Sequence, residues 1–466
     1  MDDRILKSEK TKALFQEKKP FVDQKLYHLF NNNRLDYLIF ETSNFGYIDA
    51  DKYTLYNLTA DKRVENALLE SRFDMMDSWL HDMKSKKHCL YARESLNGSK
   101  AIVKVKDPFN GSEREMINMA SNDYLNLTQH PKIAERVAEY TNLYGGGSGG
   151  SPMLNGTSSI TKMLENKIAK MKGCESAIVF SSGYGANIGA ITSLLGKNDL
   201  ALYDMYAHAS LIDGGHNTNA KFFKHNDPES LKGVLDVLGD TFLNKIVIVD
   251  GIYSMDGDIS KLDEILDIAH YYGAWVLVDE AHATGVIGEH GHGTMEHFGL
   301  QGKVDIVTGT FSKAVGAIGG YVCGSKKLTQ YIQYTSRPYI FSTAPFIPSM
   351  VAAYEALNII EQDVSLREKL WENINYTRNR LIKAGFNIGD SETAILPIII
   401  GNDYKVKEMA YQLHKANIYV NPVPYPAVPR KQTRVRITLT AEFSIEQLDY
   451  ALTHIERIAR DLEIIN

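Results

Sequence analysis

The stretch DIVTGTFSKAVGAIGGY, residues 305–321, decides the fold, because a short β-branched run leads there into small residues and glycines. The same pattern occurs in SAIVFSSGYGANIGAITSLL (176–195), KIVIVDG (245–251) and AWVLVDEAHATG (274–285). Apolar runs of this kind, followed by glycine or a small polar residue, are typical of parallel strands buried on both faces. The sequence therefore predicts an open, mostly parallel α/β sheet with its functional residues at the carboxyl ends of the strands.

Around this core the chain is predicted to divide into four regions. They are a polar N-terminal extension (1–60), an N-terminal helix and arm (61–120), a large cofactor-binding domain (121–345) and a smaller C-terminal α/β domain (346–466). Apolar residues at three- and four-residue intervals predict an amphipathic helix over 64–86, and one long helical pattern covers 349–385. The extension could be a structural wrap, or it could contact a carrier protein, a membrane surface or another subunit.

Composition indicates an ordinary globular protein. The chain has 466 residues, 44% hydrophobic and 23% charged, with a formal net charge of −6 and a pI near 6.2. It has no overall basic field, so nucleic-acid binding is not expected. The three cysteines are widely spaced and form no CxxC pair, and no metal site is predicted. A charged N-terminus and the absence of any long apolar run predict a soluble cytoplasmic protein.

Charged residues stand at the ends of two predicted strands. Lys313 follows one strand, and Asp279 ends another whose side chains are otherwise apolar, so its carboxylate would be costly to bury without a partner. A pyridinium nitrogen is one such partner, and pyridoxal phosphate (PLP) needs a carboxylate there to make its ring an electron sink. Taken alone, Lys313 could equally be an exposed lysine, and Asp279 and His282 could equally cap the next element.

The segment SSGYG (181–185) predicts a site for a phosphate group. It joins a strand to the start of a helix, where backbone N–H groups and the helix dipole favour an anion. The sequence has neither GxxxxGK[ST] nor a suitably placed GxGxxG, which disfavours a nucleoside triphosphate or a dinucleotide. His208 follows another turn, where its imidazole could stack on a flat cofactor ring, although a lone histidine could equally be structural or exposed.

The chain resembles the α-oxoamine synthase family through SNDYLNL, NGTSSITKMLE, FSSGYGAN, HASLIDGG, SMDGDISKLDE, VDEAHATG, GTFSKAVGAIGGY, FSTAPF and RVRI, all in unbroken order. The resemblance covers roughly residues 70–466. It implies a PLP-dependent transferase of fold type I, like aspartate aminotransferase, that joins an amino acid to an acyl thioester with loss of carbon dioxide. The thiol carrier would be coenzyme A or an acyl carrier protein. The resemblance also implies a homodimer with shared active sites.

The resemblance implies a role for each matching residue. Lys313 matches the lysine that carries PLP as a Schiff base, and Asp279 matches the partner of the pyridinium nitrogen. His208 matches the histidine stacked on the ring, and His282 the residue near the phenolic oxygen. The other matches are Gly183, Tyr184, Ser254 and Thr310 around the cofactor, Ser342 and Thr343 for the phosphate of the neighbouring subunit, Arg436 for the amino-acid carboxylate, and Asn122 in the substrate pocket.

Within the family, GTFSKAVGAIGGY and SRPYIFSTA resemble the serine palmitoyltransferase branch more than branches that use glycine or alanine. This implies L-serine and a long-chain acyl thioester as substrates, in a sphingolipid type of lipid biosynthesis. Cysteate, glycine and alanine remain alternatives. The chain departs from the family pattern at Pro152, Thr161, Asp250 and AEFSIEQ (441–447), around the cofactor entry and in the small domain.

Two other classes of protein share the fold. A PLP aminotransferase would keep the lysine and the aspartate but would accept a keto acid and need no acyl thioester. The series of motifs disfavours it. A non-catalytic partner subunit would lack the Schiff-base lysine, whereas Lys313 is present here.

Overall fold

The computed structural model describes residues 48–59, 64 and 68–466. The chain divides into two compact units, and the boundary lies between Cys89 and Leu90. Most of the predicted N-terminal extension lies outside the described residues, so its role stays a prediction. Within the described residues, no helix is long and apolar enough to cross a membrane.

The first unit contains helices α1 (Leu55–Thr59) and α2 (Leu69–Ser85). Its apolar core consists of Ile48, Ala50, Leu58, Val64, Met75, Trp79 and Met83. The four-residue spacing of the last three places them on one face of α2, which confirms the amphipathic pattern. The indole N–H of Trp79 also donates a 2.9 Å hydrogen bond to the carbonyl of Tyr53, which satisfies its polar group.

The second unit is an α/β structure with three sheets. Its strands are β1 (Ile102–Lys106), β2 (Glu113–Asn118), β3 (Ser176–Phe180), β4 (Leu200–Asp204), β5 (Asn219–Phe223), β6 (Lys245–Asp250), β7 (Trp275–Asp279), β8 (Ile306–Thr310), β9 (Gly320–Gly324), β10 (Ile395–Ile399), β11 (Ile418–Tyr419), β12 (Asn421–Val423) and β13 (Arg434–Thr438). Its helices are α3 (Pro131–Tyr144), α4 (Ser159–Lys172), α5 (Gly183–Leu194), α6 (Ala209–Gly214), α7 (Pro228–Leu238), α8 (Leu262–Tyr271), α9 (Thr294–His297), α10 (Lys326–Thr335), α11 (Arg337–Ile340), α12 (Ile347–Gln362), α13 (Val364–Lys383), α14 (Asp403–Lys415) and α15 (Ile445–Asp461).

The large sheet has seven strands in the order β3-β9-β8-β7-β6-β4-β5. The neighbours from β8 to β5 pair in parallel, and only β9 runs antiparallel to both of its neighbours. This confirms the predicted mostly parallel sheet. The reversal at β9 follows from its connection, since residues 311–319 join it to β8 as a loop with no crossover helix. The carboxyl ends of β3, β4, β6, β7 and β8 therefore meet at one edge.

The C-terminal part contains the small antiparallel sheet β10-β13-β12. The sequence pattern over 349–385 predicted one long helix, and the structure instead has α12 and α13. Asp363 separates them in a non-helical conformation, and its side chain accepts a 3.0 Å hydrogen bond from the amide of Ser365. An aspartate that caps a new helix in this way interrupts the run without changing its apolar periodicity.

Candidate active site

A cavity of about 290 Å³ lies at the carboxyl edge of the large sheet. Seven residues predicted from the sequence line it: Gly183, Tyr184, His208, Asp279, His282, Thr310 and Lys313. They come from the segments that follow β3, β4, β7 and β8, which the parallel sheet brings to one edge. Among the described residues, no group of His, Cys, Asp and Glu side chains could hold a metal ion.

Lys313 lies in the loop after β8 and is partly buried. Burial lowers its pKa to about 8, although the nearby carboxylates of Asp279 and Asp250 act in the opposite direction. A lysine in this environment holds far more neutral amine at neutral pH than an exposed one. The neutral amine is the form that attacks a carbonyl group or accepts a proton.

Asp279 ends β7 and is buried, with both carboxylate oxygens held by hydrogen bonds. Oδ1 accepts from the amide of Ala281 at 2.9 Å, and Oδ2 accepts from the side-chain amide of Asn187 at 2.8 Å. Asn187 is itself buried in the second turn of α5. These two donors fix the orientation of the carboxylate at the cavity wall.

A chain of hydrogen bonds continues from Asn187 to His208. The Nδ2 of Asn187 also donates to the Oγ of Ser210 at 2.8 Å, and this Oγ lies 2.7 Å from the Nδ1 of His208. The backbone amide of Ser210 donates to the same Nδ1 at 3.3 Å. Because burial lowers the pKa of His208, the ring is neutral at pH 7 and carries its proton on Nε2. One amide side chain therefore orients both Asp279 and His208.

Neither Asn187 nor Ser210 was singled out from the sequence. The available signal was spacing: Asn187 follows Gly183 by one helical turn, and Ser210 is two residues after His208. The Oδ1 of Asn187 is buried and accepts no hydrogen bond from the described part of the chain. A buried acceptor without a donor is unusual, and it lies in a residue of the cavity wall.

A second group of contacts joins His282 to the predicted substrate residues. The hydroxyl of Tyr124 lies 2.7 Å from the Nδ1 of His282 and 3.4 Å from the Oδ1 of Asn122. Arg436 donates from Nη2 to the same Oδ1 at 3.2 Å and from Nε to the carbonyl of Ser254 at 2.8 Å. Burial lowers the pKa of His282 well below its usual range and raises that of Tyr124 to about 12, so both groups are uncharged at pH 7.

The start of α5 forms the opposite wall of the cavity. The hydroxyl of Ser182 caps the helix by accepting from the amide of Gly185 at 3.0 Å, while the first amides of the helix have no intrahelical acceptor. A Cβ atom at Gly183 would lie only 2.6 Å from the Cβ of Thr310. Glycine is therefore required at this position, and the backbone is left bare where an anion would bind.

Five predicted site residues do not line this cavity: Asn122, Ser254, Ser342, Thr343 and Arg436. Asn122, Ser254 and Arg436 belong to the contacts around His282. Ser342 and Thr343 lie in the loop after α11, where the carbonyl of Thr343 accepts from the hydroxyl of Ser181 at 2.7 Å. Their predicted role concerns a neighbouring subunit, and it stays a prediction.

The sequence departures have different positions. Asp250 ends β6 beside Asp279 in the sheet register and lines the cavity. Thr161 is buried in the first turn of α4, where its hydroxyl lies 2.9 Å from that of Ser158. Pro152 begins a single turn, Pro152–Gly156. The second and third residues do not line the cavity.

Known proteins share both the sequence and the fold. Residues 114–455 match the family model described as Aminotransferase class I and II. The 8-amino-7-oxononanoate synthase of Thermoanaerobacter pseudethanolicus is 40% identical over 374 residues, which cover 80% of this chain and 93% of that protein. The serine palmitoyltransferase of Sphingomonas wittichii covers 86% of this chain and 100% of its own, with 31% identity and a TM-score of 0.80. A serine palmitoyltransferase from S. paucimobilis with bound PLP covers 85% of this chain and 100% of its own, with 30% identity and a TM-score of 0.80.

Proposed function

The chain belongs to the α-oxoamine synthases of the aminotransferase class I and II family, and on this premise we propose that it condenses L-serine with a long-chain acyl thioester. The products would be an aminoketone, carbon dioxide and the free thiol. Family membership makes it a PLP-dependent acyltransferase of fold type I. The observation that carries the proposal is the shared cavity of Lys313 and Asp279. The serine palmitoyltransferases with a TM-score of 0.80 favour serine.

L-Alanine is the second candidate. The relative that is 40% identical is an 8-amino-7-oxononanoate synthase. The name of that product places a methyl carbon next to the amine-bearing carbon, as decarboxylation of an alanine unit would. Cysteate and glycine would use the same residues and the same chemistry.

The cavity residues fit the parts of PLP one by one. The bare amides at the start of α5, beside Gly183, suit its phosphate. Asp279 offers a buried carboxylate for the pyridinium nitrogen, and Lys313 offers a neutral amine for the aldehyde. The neutral ring of His208 suits the face of the cofactor. The buried Oδ1 of Asn187, which accepts nothing from the described chain, is a further polar group at this site.

Each residue has a defined task in the reaction. Bound PLP supplies a ring that accepts the electron pair left on the substrate α-carbon. Once the amino acid has displaced it, the Nζ of Lys313 takes the α-proton as a general base. Asp279 keeps the pyridine nitrogen protonated. Arg436 binds the substrate carboxylate through its planar guanidinium. When Tyr124 donates to the Nδ1 of His282, the imidazole keeps its proton on Nε2 and can donate it to the phenolic oxygen.

The direct test is a titration of the PLP-loaded protein with serine, alanine, cysteate and glycine, each followed by the visible absorbance of the cofactor. Palmitoyl-CoA is then added to the complexes that form, and release of the thiol is measured. A serine-dependent spectral change followed by thiol release is expected. A response to alanine alone would overturn serine as substrate, and transfer of the amino group to a keto acid without thiol release would favour an aminotransferase.

The lowered pKa of Lys313 predicts the pH dependence of cofactor attachment. Only the neutral amine attacks the aldehyde, and a pKa of about 8 leaves roughly one amine in ten neutral at pH 7. We expect the rate of covalent attachment to apoenzyme to rise with pH and to reach half its plateau near pH 8, as measured by stopped-flow absorbance. The exposed-lysine variant Lys327→Ala should give the same midpoint. A midpoint near the ordinary lysine pKa of 10.5 would contradict this environment.

Asn187→Leu should weaken cofactor binding. The change keeps a similar volume but removes both hydrogen bonds from the amide, which leaves Asp279 and Ser210 without that donor. A lost buried donor costs about 1–3 kcal/mol, so we expect the dissociation constant of PLP to rise by about tenfold or more. Thr192→Ala, on the exposed side of the same helix, is the matched control. Equal PLP affinity for both variants would show that Asn187 does not position the site.

We also propose that the chain is a homodimer with shared active sites. Ile318 lines the cavity yet is 67% exposed in the single chain, and Phe341, beside Ser342 and Thr343, is 72% exposed. Large apolar side chains at the mouth of a site suit a subunit interface. Mixing the inactive variants Lys313→Ala and Ser342→Ala/Thr343→Ala should restore activity, because one site of each heterodimer is then intact. No recovery in a proven heterodimer would refute sharing.

A further inference from the structure

A second cavity, of about 700 Å³, adjoins the active-site cavity, and His208 is part of both walls. It lies between the turn after β4, the segment after β6 and the loop that precedes β13. Apolar side chains make up most of its wall, among them Met205, Tyr253, Met255, Tyr425, Pro426 and Val428. A ligand that reaches the reactive centre through His208 would therefore leave an apolar portion here.

The charged groups of this wall are already paired. Of the described residues that line the cavity, only Arg434 and Asp256 carry a full charge at pH 7. Arg434 is fully buried, and its Nη1 donates to the Oδ1 of Asp256 and to the carbonyl of Met255, both at 2.8 Å. Its Nε and Nη2 donate to Gln432 at 2.8 and 3.1 Å. The wall thus offers no free cation to an incoming carboxylate.

We propose that this second cavity binds the acyl chain of the thioester substrate and selects an uncharged aliphatic chain. The inference rests on the proposed function. Each methylene group buried in such a cavity strengthens binding by about fourfold. A chain that ended in a carboxylate would bury this group without a partner, at a cost that offsets several methylenes. The carbonyl carbon would lie at the His208 end, next to the amino acid.

The first test measures binding without chemistry. Calorimetry compares palmitoyl-CoA, acetyl-CoA and a CoA thioester of a long dicarboxylic acid on the PLP-loaded protein in the absence of amino acid. The CoA portion is common to all three, so differences report the acyl chain. We expect palmitoyl-CoA to bind at least about a hundredfold more tightly than either of the others. Equal affinities, or tighter binding of the dicarboxylic thioester, would overturn the inference.

The second test places a charge in the cavity. Met205 is 53% exposed, so Met205→Lys leaves the core packing intact while it sets an ammonium group in the wall. We expect the dissociation constant of palmitoyl-CoA to rise by about tenfold, with that of acetyl-CoA unchanged. Val237→Lys, at an 87% exposed position of α7 outside this cavity, is the control. Equal effects of the two variants would refute the assignment.

Failure of the inference and failure of the proposed function give different results. If no amino acid supports thiol release, the proposed function fails, yet the binding series still decides what the second cavity accepts. If serine and an acyl thioester react but the rate and affinity do not depend on chain length, the function stands and this cavity is not the acyl site.

Discussion

Lys313→Ala is expected to abolish turnover, with a loss of at least about 10³–10⁴-fold in kcat. The same amine would hold the cofactor covalently and accept the α-proton, and a positioned general base alone contributes about 10²–10⁴-fold. Thiol release with serine and palmitoyl-CoA measures the loss. The absorbance of covalently attached PLP should vanish, while PLP itself still binds through the amides at the start of α5.

Chemical rescue separates this role from a structural one. A small primary amine such as ethylamine should restore part of the turnover of Lys313→Ala, because it fits the space left by the side chain and can accept a proton. Lys303→Ala, in an exposed loop, should behave as the unaltered protein. Turnover by Lys313→Ala near the normal rate would contradict the proposed mechanism outright.

Asp279→Asn is expected to lower kcat by about 10³-fold. The amide has nearly the same shape but no charge, so it cannot keep the pyridine nitrogen protonated, and the ring accepts electrons less well. An ion pair at 4 Å is worth about 4 kcal/mol at the effective dielectric constant of a protein interior, which corresponds to roughly this factor. Steady-state kinetics with the preferred amino acid measure the loss.

Two controls accompany this variant. The melting temperature should change little, because the asparagine can still accept from Ala281 and face Asn187. Asp263→Asn, in the first turn of α8, removes a carboxylate that does not line the cavity and should leave kcat unchanged. A fall of less than tenfold for Asp279→Asn would mean that another group protonates the ring.

Sequence reasoning found the cavity because the chemistry of this fold follows strand ends. Asp279 and Lys313 each follow an apolar run, and parallel strands carry such residues to a common edge. Glycines after β3 gave the same kind of local signal for the anion site. The mostly parallel sheet was predicted for the same reason, since doubly buried strands have a distinctive composition.

The remaining features depend on contacts between residues distant in the chain. Tyr124 and His282 are 158 positions apart, and nothing local in either segment indicates their hydrogen bond. The amide of Asn187 reaches Asp279 only because α5 packs along the sheet edge. The antiparallel course of β9 was missed because its composition equals that of a parallel strand, and the break at Asp363 because a helix cap preserves apolar periodicity.

The contacts that run from Arg436 through Asn122 and Tyr124 to His282 connect two recognition events. Thermodynamic linkage is reciprocal, so if carboxylate binding at Arg436 changes the hydrogen bond that His282 gives to the cofactor, the state of the cofactor changes carboxylate affinity by the same factor. An amine without a carboxylate would then be discriminated twice, once by weaker binding and once by an untuned ring. The colour of the bound cofactor would report which ligands pass both checks.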